Sequence, residues 1–168
     1  MIHSIFKIKN SGYALIETLF YIALLAIFSI AIVNSIIIMT KSFKETTLQA
    51  ELMQGGTIIE RISREVRQAN SIATISSTSL KVNTVDGDGN PKTVEFLLSG
   101  TDIQFLENGA LTGNLNTGNV IIGGLSFEQI LTTNGVAVKM TLTLSSSHDK
   151  LLRESDFYDT VVLRGSYE

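Results

Sequence analysis

A single carboxylate, Glu17, stands at the start of an otherwise uncharged apolar segment that runs to Met39, and Gly12 lies just upstream of it. A carboxylate in the middle of a membrane-spanning helix costs roughly 2.5 to 3.5 kcal/mol on insertion scales, and less near the end of the helix. Such a group is usually compensated by a partner of opposite charge. The sequence therefore predicts that Glu17 pairs with a positive group.

A second set of oxygen-bearing side chains could hold a cation. Asp86, Asp88 and Asn90 have the spacing with which an EF-hand calcium loop begins, so they form a candidate calcium site. However, Pro91 occupies the position at which that loop requires glycine, and the pattern predicts no flanking helices. A hairpin turn is therefore the favoured interpretation, and we predict neither a metal nor a cofactor.

The other polar clusters do not indicate an enzyme or a nucleic-acid site. His148 and Asp149 follow three serines, but the members of a hydrolase triad are seldom adjacent in sequence. Residues 60–67 carry three arginines interleaved with two glutamates, which is typical of a solvated, ion-paired helix face. No phosphate-binding P-loop is present in the sequence. We expect a protein without catalytic residues and without nucleic acid as a partner.

Composition limits the architecture to one modest domain and a membrane segment. The chain has 168 residues, a formal net charge of -3 and 44% hydrophobic residues. Because the net charge is negative, the chain has no excess of basic groups with which to bind the phosphate backbone of a nucleic acid. The sequence contains no cysteine, so the globular part must be stabilised by its apolar core, without disulfides or thiolate metal sites.

The apolar residues 18–39 are numerous enough to cross a hydrocarbon core of about 30 Å as a helix. A cleaved secretory signal would have a shorter apolar stretch, of about 7 to 15 residues, followed by a small-residue cleavage site. Lys7 and Lys9 favour a cytoplasmic N-terminus, whereas Lys41 and Lys44 oppose that orientation. We expect a single-pass protein whose large C-terminal part lies outside.

The helical pattern continues well beyond the apolar segment. Helix-compatible composition extends from Tyr13 to about Ala69, with Gly55 and Gly56 as positions for a kink or a close approach. Beyond Met39 the apolar residues recur at steps of four and three, which predicts one buried stripe. The stripe consists of Leu48, Leu52, Gly55, Ile59, Ile62, Val66 and Ala69.

After residue 70 the period changes to two, which predicts a sheet. The alternation indicates a hairpin around the turn at 86–91, a short strand at 103–105, strands within 120–127 and 136–144, and a last strand at 160–164. We interpret 108–119 as a loop and 145–156 as a polar connection. One sheet with an apolar face would cover the helix stripe, which predicts an α+β fold.

The segment Ser11-Gly12-Tyr13-Ala14-Leu15-Ile16-Glu17 resembles the class III signal of type IV pilins and type II secretion pseudopilins. The resemblance implies cleavage after Gly12 by prepilin peptidase, N-methylation of Tyr13, and assembly into a filament whose core is the packed N-terminal helices. Ser11 replaces the usual basic residue and Ala14 the usual Thr or Ser, and the proline and cysteines of many major pilins are missing.

This resemblance also assigns the parts of the chain. It implies a leader at 1–12, a transmembrane and filament-core helix at 13–39, an amphipathic helix at 40–70 and a β-rich globular domain at 71–168. Cleavage would expose a positive amine on Tyr13, one helical turn before Glu17. Glu17 would then set the register of assembly by pairing with the amine of its own or a neighbouring subunit.

Two further stretches are similar to the J-type minor pseudopilins and W-type minor pilins. They are ERISREVRQA at 60–69 and TVVLRG at 160–165, where Gly165 replaces the family's asparagine. The resemblance implies a minor subunit in the inner membrane, then in a pilus or pseudopilus, at whose tip it would help to initiate assembly. Its implied partners are other pilin-like subunits, prepilin peptidase, the assembly platform and, before assembly, membrane lipid. A major pilin, and a membrane-anchored binding module that does not polymerise, are the alternatives.

Overall fold

The computed structural model describes residues 11–133, 135–151 and 153–166. Helix α1, Ser11–Gln68, is followed by eight strands and a short 3-10 helix, Arg164–Ser166. The chain divides into two compact units, with the boundary after Glu45. The strands are β1 Ser71–Ile75, β2 Ser79–Val85, β3 Pro91–Ser99, β4 Asp102–Glu107, β5 Ala110–Asn114, β6 Val120–Thr132, β7 Gly135–Ser146 and β8 Glu154–Val162.

The described part of the N-terminal unit is helical, and its apolar side chains are exposed on all sides. Hydroxyl groups of this segment bond back to the helix's own carbonyls, so these groups need no hydrogen bond from water. These bonds are made by Thr18, Ser29, Ser35 and Thr40 to the carbonyls four residues earlier, at 2.8 to 3.0 Å. This helix near the N-terminus is long and apolar enough to cross a membrane.

In the C-terminal unit the helix packs against the strands along the predicted stripe. All members of the stripe are buried except Leu52, which is half-buried and packs against the core, so this prediction is confirmed. Ile58 and Ser63 are buried beside the stripe, whereas Arg61 and Arg64 are exposed. The observed α+β class agrees with the prediction.

Two sheets, rather than the single sheet expected, cover the helix. The first has five strands in the order β1-β2-β3-β4-β5 and the second has three in the order β6-β7-β8, with every pair antiparallel. The edge of the second sheet meets the turns of the first: Ile122 N–H donates to the Thr101 carbonyl at 3.1 Å, and Phe127 N–H to the Ser77 carbonyl at 3.2 Å. Both sheets and the helix share one core.

The predicted hairpin is present, because β2 and β3 pair around residues 86–90. The prediction of a loop at 108–119 is wrong, since Ala110–Asn114 forms β5. Its side chains are almost all exposed, so no apolar alternation marked the strand. The sequence pattern also failed to predict strand β1, Ser71–Ile75, whose pairing with β2 shifts register at a bulge.

The last strand begins earlier than predicted and shortens the polar connection. β8 starts at Glu154, and residues 164–166 form a 3-10 turn in place of its expected end. The sequence pattern did not predict the first part of this strand, because polar residues occupy both of its faces. Asp159, for example, points inward and accepts a hydrogen bond from Ser63 of the helix. An inward-facing polar residue of this kind breaks the apolar alternation from which a strand is predicted.

Candidate functional site

The segment that suggested processing and assembly lies at the beginning of α1. Gly12 belongs to the first turn, Tyr13 is 80% exposed, and helical spacing places Tyr13 and Glu17 on the same face one turn apart. The Tyr21 hydroxyl donates a hydrogen bond to Glu17 Oε1 at 3.2 Å. The sequence reasoning did not include Tyr21, although its position four residues after Glu17 predicts such a contact.

The Glu17 carboxylate retains capacity for a further partner. An ionised carboxylate can accept about four hydrogen bonds, and the tyrosine supplies one, to a single oxygen. Both residues lie on the exposed surface of the helix, where another chain or a lipid headgroup can approach. Of the proposed leader, residues 1–12, the first ten, which include Lys7 and Lys9, lie outside the described residues.

The candidate calcium residues form a hydrogen-bonded turn. Asp86 Oδ1 accepts from the backbone N–H groups of Asp88 at 2.9 Å and Asn90 at 2.8 Å, and Oδ2 accepts from the Asn90 side-chain amide at 3.1 Å. These bonds, above all the one from the Asn90 amide, lower the pKa of Asp86 below its ordinary value. Gly89 has a φ of 85°, as a tight turn of this kind requires. Asp86 therefore serves the turn with both oxygens.

No group of three His, Asp or Glu side chains is placed to hold a metal ion within residues 11–133, 135–151 and 153–166. Asp88 is exposed at the apex of the turn, while Asp86 is half-buried at its base. The hairpin interpretation accounts for all the contacts that the three predicted residues make.

The cluster around His148 differs from a hydrolase triad. His148 Nδ1 lies 2.9 Å from Oε1 of Glu51, whose other oxygen accepts a hydrogen bond from the Ser146 hydroxyl. A triad instead requires the serine to bond the histidine that is to take its proton. Asp149 is separate, because its carboxylate pairs with Arg153 Nε at 2.6 Å. That hydrogen bond is the main reason why the pKa of Asp149 is lowered.

Glu51 is the residue of this cluster that sequence reasoning missed. It is 6% exposed and lies one position before Leu52 of the buried stripe. Its only signal in the sequence is a charged residue beside the predicted apolar face. Its partners are 95 and 97 residues away, so no local pattern could have identified them.

Comparisons of the chain with protein-family models, with curated proteins and with solved structures find no match. The structure has a long helix, apolar in its N-terminal half, whose second half packs against antiparallel sheets. This arrangement is compatible with the pilin-like architecture that the N-terminal segment implies.

Proposed function

We propose that the protein is a structural subunit of a type IV pilus or type II secretion pseudopilus, made as a membrane precursor and cleaved after Gly12. The observation that supports this most is the placement of Gly12, Tyr13 and Glu17 at the start of a helix whose apolar side chains from Tyr13 to Phe43 are exposed. Lipid can cover such a surface before assembly, and neighbouring helices can cover it afterwards.

The proposed role of Glu17 is to set the position of each incoming subunit. Cleavage would create a positive amine on Tyr13, and burial in a filament core would be costly for either charge alone. A subunit that docks with its carboxylate on a neighbour's amine compensates both charges, whereas a shifted subunit leaves both unpaired. N-methylation of Tyr13 preserves the positive charge that this pairing needs.

Within this class we propose a minor subunit that assists initiation at the tip, on the strength of the stretches at 60–69 and 160–165. The structure adds a physical reason for the glycine at 165. A Cβ there would lie 2.5 Å from Cα of Asn70, so the close packing of the chain's end on the end of α1 requires glycine. A major subunit is the alternative.

The remaining attributes follow from this proposal. We propose a protein without enzymatic activity, located in the inner membrane with a cytoplasmic N-terminus and then in the assembled fibre. Prepilin peptidase and the assembly platform would act on it, and its N-terminal helix would contact other pilin-like subunits. A membrane-anchored binding module that never polymerises is the alternative from another class, and it predicts an uncleaved N-terminus.

Substitution of Glu17 tests the assembly role. In cells that carry the assembly machinery, Glu17→Ala and Glu17→Gln are expected to leave membrane insertion intact and to reduce incorporation into sheared fibres by at least about tenfold. Tyr21→Phe is the matched control, because it removes the hydrogen bond to Glu17 but keeps the charge. Normal incorporation of Glu17→Ala would refute the register role.

A further inference from the structure

Asn34 differs from the other polar residues of the apolar segment at 18–39. The serine and threonine hydroxyls there bond to carbonyls of the helix itself, and the Tyr21 hydroxyl bonds to Glu17. The Asn34 side chain is exposed and makes no hydrogen bond in the described structure. Among residues 18–39, all of which the structure describes, it is the one polar side chain without a hydrogen-bond partner.

The amide of Asn34 cannot be satisfied by its own helix. It has two N–H donors and a carbonyl oxygen, whereas a serine or threonine hydroxyl has one donor, which reaches a carbonyl one turn earlier. Backbone N–H groups inside a helix already donate to carbonyls four residues earlier, so none is left for the Asn34 amide oxygen. The hydrocarbon core of a membrane contains no water that could donate instead. The Asn34 oxygen therefore needs a donor from another molecule.

Lipid headgroups are too far from Asn34 to supply this donor. Asn34 lies five residues before Met39 and sixteen after Thr18, which is about 7.5 Å and about 24 Å along the helix axis. Lysine and arginine reach the interface from such a depth with long flexible stems, but the asparagine side chain has a single methylene group. The donor must therefore come from a protein at the same depth.

The helix face around Asn34 has the composition of a helix contact. Residues three and four positions away lie on the same face, and these are Ile30, Ala31, Ile37 and Ile38. All four are exposed. Ala31 allows a second backbone to approach closely, and the isoleucines provide dispersion contacts. A neighbouring helix can therefore come near enough to bond the amide.

We infer that Asn34 binds the transmembrane helix of a different subunit, one that carries a hydrogen-bond donor in a side chain at the same depth. The backbone N–H groups of that helix are occupied as well, so the donor is the amide, hydroxyl or protonated carboxyl group of a side chain. This contact is distinct from the pairing proposed for Glu17, which needs a positive charge. It rests on the proposed function for its setting.

The proposed position at the tip favours a different subunit over a second copy. A subunit that helps to initiate assembly is present in few copies, so the helices around it belong to other subunits. Their helices would meet Asn34 in the membrane, where a polar bond competes with no water. The amide is uncharged, so the precursor can insert before the partner arrives at a lower cost than a charged side chain would impose.

Photocrosslinking of the full chain, in cells that carry the assembly machinery, tests this contact. The photoreactive residue p-benzoylphenylalanine replaces Ile38, one turn after Asn34. The matched control carries the same residue in place of Ile36, which lies about 200° around the helix from Asn34. Irradiation is expected to link position 38 to one other membrane subunit, and position 36 to give only background. Mass spectrometry should locate the linked peptide in a transmembrane helix, within one turn of a donor side chain.

Substitution of Asn34 supplies the specificity test. Asn34→Leu is expected to reduce the yield of this adduct by about three- to tenfold, whereas Asn34→Gln keeps the amide and should retain the adduct. Leucine inserts more readily than asparagine, so loss of the adduct cannot come from failed insertion, and resistance to alkaline extraction checks this. Replacement of the partner's donor by leucine should reduce the yield equally.

Several results would overturn the inference. They are the absence of an adduct at position 38, an adduct of this chain with itself, an equal adduct from position 36, and an adduct that Asn34→Leu leaves unchanged. Each can occur in a chain that is cleaved after Gly12 and enters fibres, and the proposed function would then stand. An intact N-terminus would overturn the proposed function, while the adduct would still report whether Asn34 binds a second helix.

Discussion

The buried carboxylate of Glu51 lies 2.9 Å from Nδ1 of His148, which joins α1 to the loop between β7 and β8. Ser146, 1% exposed, donates to the other oxygen of the same carboxylate, and its own Oγ accepts the His148 N–H at 3.0 Å. The network satisfies three polar groups at the edge of the core. It therefore anchors the second sheet to the helix where the C-terminal unit begins.

Removal of Glu51 is expected to destabilise the protein. Glu51→Ala leaves the buried Ser146 hydroxyl without its acceptor and His148 without its partner, a loss of about 1 to 3 kcal/mol in the free energy of unfolding. The measurement is denaturant unfolding of the full chain in detergent, followed by circular dichroism. Glu60→Ala is the matched control on the same helix, because its pair with Arg64 is exposed and its loss should cost less than about 0.5 kcal/mol. Equal effects of the two variants would contradict the anchoring role.

Adjacent glycines on α1 should respond oppositely to alanine. A Cβ at Gly55 would lie 2.2 Å from the Phe157 ring, whereas a Cβ at Gly56 meets nothing within 4 Å. Both substitutions gain about 1 kcal/mol of helix propensity, but Gly55→Ala also displaces a packed ring at a cost of about 1 to 3 kcal/mol. Gly56→Ala should therefore raise the thermal midpoint of unfolding above that of wild type, and Gly55→Ala should lower it. Phe157→Ala, combined with each glycine variant, is the control. If it does not reduce the difference in thermal midpoint between Gly55→Ala and Gly56→Ala, the contact between residue 55 and the Phe157 ring does not cause that difference.

The turn at Asp86 should make stability depend on pH in the acid range. In the folded protein the pKa of Asp86 lies below its ordinary value of 3.8. The stabilisation from the ionised Asp86 carboxylate is therefore fully present above pH 3.8 and is lost as the pH falls through the folded-state pKa. Wild type should be more stable than Asp86→Asn at neutral pH, and the difference should shrink on acidification. Thermal midpoints measured across the acid range check this. Asp88→Asn is the control, since the Asp88 carboxylate makes no hydrogen bond in the described structure and its substitution should keep the wild-type acid profile.

Periodicity accounts for the parts of the fold that could be predicted. The stripe from Leu48 to Ala69 and the alternation from Val136 to Leu144 are long enough to reveal both the element and its buried face. Both face the core as expected, with Leu52 and Val136 partly buried. The hairpin at 86–91 was predictable for a similar reason, since turn residues separate two alternating segments.

The missed features depend on distant partners or lack apolar alternation. β5 exposes most of its side chains, and β8 turns Asp159 toward Ser63 of the helix. The division into two sheets depends on how β6 meets the turns of the first sheet, which no local pattern specifies. At Gly55 a close approach was one of two expectations, but Phe157 as the neighbour could be identified only from the structure. The proposed processing segment was identified from its residues alone, because the resemblance rests on consecutive positions.

Mass spectrometry of the mature N-terminus tests the central claim most directly. The full chain would be isolated from the membranes of cells that contain prepilin peptidase, and its N-terminal peptide sequenced. The proposed function predicts a chain that begins at Tyr13 with a methylated amine, and one that keeps its leader when the peptidase is absent. A mature protein that still begins at Met1, or that is cleaved at another position, would contradict it.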